Sequence, residues 1–134
     1  MKIFLICSKE FYDKIPGIKD TLEKAGHIIT LPNCFDDPQE ESRHRGTETH
    51  AQWKSEKIKH STGVIEKQDA VLVLNFKKND VANYVGGATF LEMYDAFRLG
   101  KKIFLLNDIP EGILKDEIIG FAPVLLNGNL SIVI

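Results

Sequence analysis

An open, doubly wound α/β sheet is the fold this sequence predicts, on three observations. Short, continuous apolar runs such as Ile3-Phe4-Leu5-Ile6, Ala70-Val71-Leu72-Val73-Leu74 and Ile103-Phe104-Leu105-Leu106 mark parallel strands buried on both faces. Segments with apolar residues at helical spacing separate these runs. The opening segment holds strand, helix and strand, a βαβ unit whose crossover is expected to be right-handed. Such alternation places helices on both faces of one sheet, here with about five strands.

The elements follow in order. Lys2–Ile6 is the first strand and ends at Cys7-Ser8. Ile15, Ile18, Leu22 and Ala25 recur at helical spacing, with Pro16 suited to a first turn and Gly26 to a stop. His27–Leu31 is a second strand, closed by Pro32. Residues 32–49 are rich in polar and turn residues and poor in apolar anchors. Two readings are open there, a lid over a site and a surface insertion. Thr49 and Gln52 fit a capping box, and a helix is expected from there to about Glu66, with Trp53, Ile58, Val64 and Ile65 as apolar contacts. Asp69 opens a strand over 70–75, and a polar loop follows over 76–85. A helix runs from about Ala88 to Leu99, stopped by Gly100, and Lys101-Lys102 lead into a strand over 103–106. Asp108-Ile109-Pro110-Glu111 resembles a capped helix start. Val124–Leu126 and Ser131–Ile134 are two last apolar runs around Asn127-Gly128, and a hairpin and two separately placed strands are both open.

Length and composition bound the function. The 134 residues are the length of one domain, 1–134. A hydrophobic share of 43% is enough for a packed core and argues against disorder. Seventeen basic and nineteen acidic side chains leave a net charge of −2, so no general basic field exists for a nucleic-acid polymer. The apolar runs are too short to cross a membrane, and no secretory leader is expected at the start. Cys7 and Cys34 fit no disulfide framework, which points to free thiols and a cytoplasmic protein.

In sheets of this kind a ligand sits beyond the carboxyl ends of the strands. That directs attention to Ser8, Lys9, Asn33, Asn75, Gly86–Glu92 and Asn107. The most informative segment is Asn83-Tyr84-Val85-Gly86-Gly87-Ala88-Thr89-Phe90-Leu91-Glu92-Met93, between a buried strand and a helix. Two glycines let the backbone approach a ligand closely, and the free N–H groups of a helix start attract an anion such as phosphate. Glu92 falls about one turn into that helix and faces the same crevice. A carboxylate there can act as nucleophile or base at a sugar carbon. Thr89-x-x-Glu92 also fits a capping box, in which Glu92 only binds the helix's own first amide. Spacing alone leaves both readings open.

Three stretches together resemble the nucleoside 2-deoxyribosyltransferase superfamily, which also holds the 2'-deoxynucleoside 5'-phosphate N-hydrolases. They are Asp69–Asn75, the Gly86-Gly87 turn with Glu92 on the following helix, and Gly100–Asn107. The resemblance covers most of residues 2–107 and is strongest over 69–107. It implies a flavodoxin-like or Rossmann-like fold, N-glycosidic bond chemistry on a nucleoside or nucleotide, no cofactor, and assembly as a homodimer or higher homo-oligomer. Glu92 matches the family's glutamate, which attacks the anomeric carbon before the sugar passes to another base or to water. Gly86, Gly87 and Thr89 match the turn that holds the sugar or 5'-phosphate, and Ser8 at the first strand's end reaches the same place. Asn75 and Asn107 end the strands that flank this turn and are expected to touch substrate.

Departures from the family pattern shape the expectation further. Gly86 stands where transferases carry an acid before the glutamate, and His60-Ser61 stand near the place of a second family acid. Phe4 and Leu5 stand where a family tyrosine ends the first strand. These differences favour hydrolysis, with His60 handling the proton, because imidazole titrates near neutral pH. A non-catalytic nucleotide sensor on the same fold is the alternative. Lysine-decarboxylase-like phosphoribohydrolases carry a similar turn, but Ala88 replaces their third glycine. His44, His50 and His60 match no metal-ligand spacing, and no metal is expected. Asp95 shares a face with Glu92 and either supports it or meets Arg98. Cys7 reads as a reactive thiol or, more simply, as a small core residue.

Overall fold

The computed structural model describes residues 1–134. Five strands, β1 (Lys2–Ile6), β2 (Ile28–Thr30), β3 (Ala70–Val73), β4 (Lys102–Leu105) and β5 (Val124–Leu125), form one sheet. All are parallel, in the order β2-β1-β3-β4-β5. The helices are α1 (Ile15–Lys24), α2 (Glu40–His44), α3 (His50–Glu66), α4 (Gly87–Arg98) and α5 (Lys115–Gly120). This is the expected doubly wound α/β fold, with flavodoxin-like strand order.

Side-chain alternation divides the core into two layers. On one face Ile3, Leu5, Leu72 and Phe104 pack with Ile15 and Leu22 of α1. On the other, Phe4, Ile6, Val71, Val73 and Leu105 pack with Ile65 of α3, Met93 and Ala96 of α4 and Ile118 of α5. Both faces of the central strands are covered, which is why their sequences run apolar without alternation. α1 ends at Gly26, whose φ of +95° lies in a region that side chains with a Cβ rarely enter. β2 is an edge strand, shorter than the run His27–Leu31, and its Ile28 is exposed. His27 lies outside it, with Nε2 3.2 Å from the Val133 carbonyl.

Four local expectations are corrected. Thr49 precedes α3 without capping it; its hydroxyl lies 2.8 Å from His44 Nδ1, and Gln52 bonds Glu56 instead. Residues 108–111 start no helix: Asp108 takes the amide of Ile109 at 2.8 Å, and α5 begins only at Lys115. Asn127-Gly128 makes neither a hairpin nor a link to a sixth strand. Gly128 donates its N–H to the Leu106 carbonyl at 2.8 Å, and Leu130–Ile132 form a 3₁₀ turn that buries Val133 beneath α1. Residues 32–49 are not one open loop, since they contain α2.

β1 and β3 are neighbours, yet the chain leaves them toward opposite edges of the sheet. Their carboxyl ends therefore border the crevice where doubly wound sheets bind ligands.

Candidate functional site

A cleft of about 460 Å³ opens there, a volume suited to a small molecule. Cys7 and Ser8 enter it from the end of β1, Asn33 from the end of β2, and Gly86, Gly87, Thr89 and Glu92 from the start of α4. The remaining wall is α3, whose Trp53, Lys57 and Ser61 lie at successive turns of one helical face.

Glu92 is the carboxyl group of this cleft whose environment departs most from that of a free side chain. It does not cap α4: Gly86 occupies the cap position in extended conformation, and no side chain closes the helix start. Instead Ser61 Oγ donates to Glu92 Oε2 at 2.8 Å, and Asn33 Nδ2 donates to Ser61 Oγ at 2.6 Å. Burial pushes the Glu92 carboxyl up to about 7. The Ser61 hydrogen bond and the charge of Lys54 oppose that rise, and the charge of Asp95 adds to it. Asp95 is itself held by Thr62 Oγ1 at 2.6 Å and Arg98 at 3.2 Å, so it meets Arg98 and also stands beside Glu92.

The start of α4 forms the second feature. Its first N–H groups have no partner inside the helix, and Gly87 and Ala88 line the cleft. Ser8 donates to Glu10. Lys78 Nζ lies 3.4 Å from Glu10 and 4.6 Å above the Tyr84 ring. The Ser8 hydrogen bond, followed by the Glu10 backbone amide and then the nearby Lys78 charge, holds Glu10 below the usual carboxylate range despite some burial. A Cβ at Gly86 would come within 3.3 Å of Tyr84 Oη, so a side chain there would have to shift the Tyr84 ring, whereas Gly87 has open space beside it.

Ser8, Lys9, Asn33, Gly86, Gly87, Thr89 and Glu92 thus share one cleft, as the sequence suggested, and Lys78 joins them. Three expected residues do not. His60 is exposed on α3 and forms no part of the wall; its neighbour Ser61, turned about 100° around the helix, takes that place. Asn75 is fully buried and donates to the Asp108 carbonyl at 2.8 Å while accepting from the Asn107 amide at 2.9 Å. Asn107 Nδ2 returns a bond to the Asn75 carbonyl at 3.2 Å. The two asparagines brace the ends of β3 and β4 against each other and do not line the cleft. Burial, with the Glu92 charge adding, pushes the Cys7 thiol up to about 12, which disfavours the thiolate that a reactive cysteine needs. No three His, Cys, Asp or Glu side chains converge so as to hold a metal ion.

Sequence reasoning missed Ser61, Lys54, Lys57, Glu41 and Cys34 as parts of this wall. The signal for the α3 residues was a polar stripe at helical spacing.

α2 borders the cleft through Glu41, with Pro38 and Arg45 just outside it. It buries no residue, and polar contacts tie it to α3. Trp53 Nε1 donates to Glu40 at 2.7 Å, His50 Nε2 lies 3.0 Å from Glu41, and Lys54 Nζ donates to Glu41 at 3.1 Å. Across the opening, Lys9 Nζ donates to Ser42 at 3.4 Å. Both glutamates sit below their ordinary value of 4.5, Glu40 chiefly through Trp53. For Glu41, burial works against the charge and the His50 and Lys54 contacts outweigh it. A depressed pKa stabilises the contact of α2 with α3 above about pH 4.5, and that support is lost as pH falls through the folded-state values. Trp53 is the single tryptophan and reports on this contact. The parent chain is expected to shift its Trp53 emission in acid, and a Glu40→Gln, Glu41→Gln double variant to show that shift already at pH 7. Its melting temperature should change by no more than a few degrees, because no core packing is lost. Identical emission in the two proteins at pH 7 would show that these carboxylates do not latch α2.

Comparison of the chain with protein-family models and with curated proteins gives no match. What fold and cleft define is a flavodoxin-like α/β protein with a small-molecule cleft built around a partly buried carboxyl group. No helix is long and apolar enough to cross a membrane.

Proposed function

We propose that the protein cleaves the N-glycosidic bond of a (deoxy)nucleoside or its 5'-monophosphate, by hydrolysis or base transfer, with Glu92 as nucleophile. One observation carries this reading: Glu92 faces the cleft, bound by Ser61 and not by its own helix start. In the reaction the carboxylate attacks the anomeric carbon as the C–N bond breaks, and that electron pair leaves on the base nitrogen, which takes a proton. Water or a second base then displaces Glu92 from the sugar. The α4 start, with Ser8 and Lys78 beside it, suits the sugar's 5' end and any phosphate there. No cofactor enters the scheme.

A homodimer or higher homo-oligomer belongs to the same proposal. Leu91, Tyr94 and Phe97 of α4 are 44%, 46% and 49% exposed, and Leu91 reaches the cleft. Light scattering is expected to give at least twice the 15.1 kDa of the chain. A monomer mass at working concentration would count against it. The two free thiols suit a cytoplasmic setting.

The test is release of free base from a panel of ribo- and deoxyribonucleosides and their 5'-monophosphates, with Glu92→Gln run in parallel. Release by the parent chain alone supports the reading, and the best substrate fixes sugar and phosphate preference. The alternative is a non-catalytic nucleotide sensor on the same fold. The position of His60, outside the cleft, favours it. Thermal stabilisation by a nucleotide without base release would move it to first place.

A further inference from the structure

Three polar side chains from three separate parts of the fold meet in one hydrogen-bonded chain at the wall of the cleft. Asn33 follows β2, Ser61 lies in α3 and Glu92 in α4. Asn33 Nδ2 donates to Ser61 Oγ at 2.6 Å, and Ser61 Oγ donates to Glu92 at 2.8 Å. Ser61 is only 5% exposed, so water is a poor substitute for either partner.

A serine hydroxyl has one proton to give and lone pairs to accept with. Within a helix it commonly gives that proton to the carbonyl one turn back. The neighbouring Thr62 does this in part: its hydroxyl faces both the Ile58 carbonyl, at 3.3 Å, and Asp95, at 2.6 Å. Ser61 makes no such bond. Asn33 Nδ2 also lies 3.5 Å from the Lys57 carbonyl, the one Ser61 would otherwise use. Asn33 therefore fills the lone-pair side of Ser61 and the competing acceptor together.

We propose that Asn33 and Ser61 are positioning residues for Glu92: Asn33 commits the Ser61 proton to the carboxylate, keeping it ionised and aimed into the cleft. Other groups set the background that this hydrogen bond works against. Cys7 beyond β1, Tyr12 in the 3₁₀ turn Lys9–Lys14, Lys54 of α3 and Asp95 of α4 all sense or alter the Glu92 charge. Lys54 favours the ionised form and Asp95 disfavours it.

Its consequence for turnover rests on the glycosidic reading, but the titration itself does not. The experiment is an NMR titration of the full chain carrying 13C-labelled glutamate carboxyls, with Glu92→Gln assigning the signal. Ser61→Ala is expected to raise the Glu92 midpoint, so that the ionised fraction at pH 7 falls roughly five-fold. Asn33→Ala raises it by less, because Ser61 can then turn to the Lys57 carbonyl. In the Ser61→Ala background Asn33→Ala adds nothing, since Asn33 acts only through Ser61. An unmoved midpoint in Ser61→Ala overturns the proposal, as does an Asn33→Ala shift that persists without Ser61. Asn33 is partly exposed, so if Ser61→Ala does not fold, Asn33→Ala alone decides: an unmoved midpoint again overturns it. A chain that releases no base but shows these shifts retains the relay and loses only the glycosidic reading. Where base is released, the Ser61→Ala pH–rate profile moves to higher pH by the same interval as the midpoint.

Discussion

Glu92→Gln is expected to fold as the parent chain does and to lose base release by about 10³-fold or more. Glutamine keeps the shape of the side chain and an oxygen for the Ser61 hydroxyl, so the wall of the cleft survives. What it lacks is the anionic oxygen that the proposed reaction bonds to the anomeric carbon, and the other carboxylates at the cleft are engaged, Glu10 by Ser8 and Lys78 and Glu41 by His50 and Lys54. Cys7 is held as a thiol, and Asp95 is already engaged by Thr62 and Arg98. The pH dependence follows from the same carboxyl. Because Glu92 titrates near 7, kcat/KM should rise about tenfold per pH unit below that value and level off above it. Residual release by the variant should lack this limb. Equal release by both proteins at pH 8 would remove Glu92 from the chemistry and leave it a binding group.

The parts of this account legible in the sequence are those whose cause is local. β1, β3 and β4 stand out because a strand covered on both faces has no polar side to alternate with. The Gly86-Gly87 turn and Glu92 are legible because strand, turn and helix start are contiguous. Asn33 is legible as a strand-end residue, but Ser61 and the bond between the two are not, because they arise only when α3 packs against α4 and the end of β2 reaches both. One residue's difference in a helix, His60 against Ser61, separates solvent from cleft, and composition made the histidine the more eye-catching. Asn75 shows another limit. A polar residue at a strand end reads equally as a ligand contact or a brace, and only the register of β3 with β4, which sets Asn107 beside it, decides. The final apolar run fails as a strand for a similar reason. Val133 is buried by docking under α1, and no strand pairing is needed to cover it.

The second large effect of Glu92→Gln is on stability, with a sign opposite to that on turnover. In an unfolded chain the carboxyl titrates near 4.5, and in the fold near 7. The native state binds the proton more tightly, so the stabilising contribution of the protonated group is whole below about pH 4.5. It declines between there and about pH 7 and is gone above that. The size of this contribution is on the order of 3 kcal/mol, or roughly 10 °C in melting temperature for a chain of this length. Glutamine carries no charge at any pH and loses nothing over this range. Thermal unfolding should therefore show parent and variant close together at pH 4, a gap opening through pH 4.5–7, and the variant more stable at pH 8. A glutamate serving as a helix cap gives the reverse, because a cap works through its charge and the variant would then be the less stable protein at pH 8. The comparison thus separates the two readings of Glu92 without a substrate in hand. A carboxylate kept where a neutral amide would be more stable is the pattern expected of an active-site group, and the pH 8 comparison tests for it.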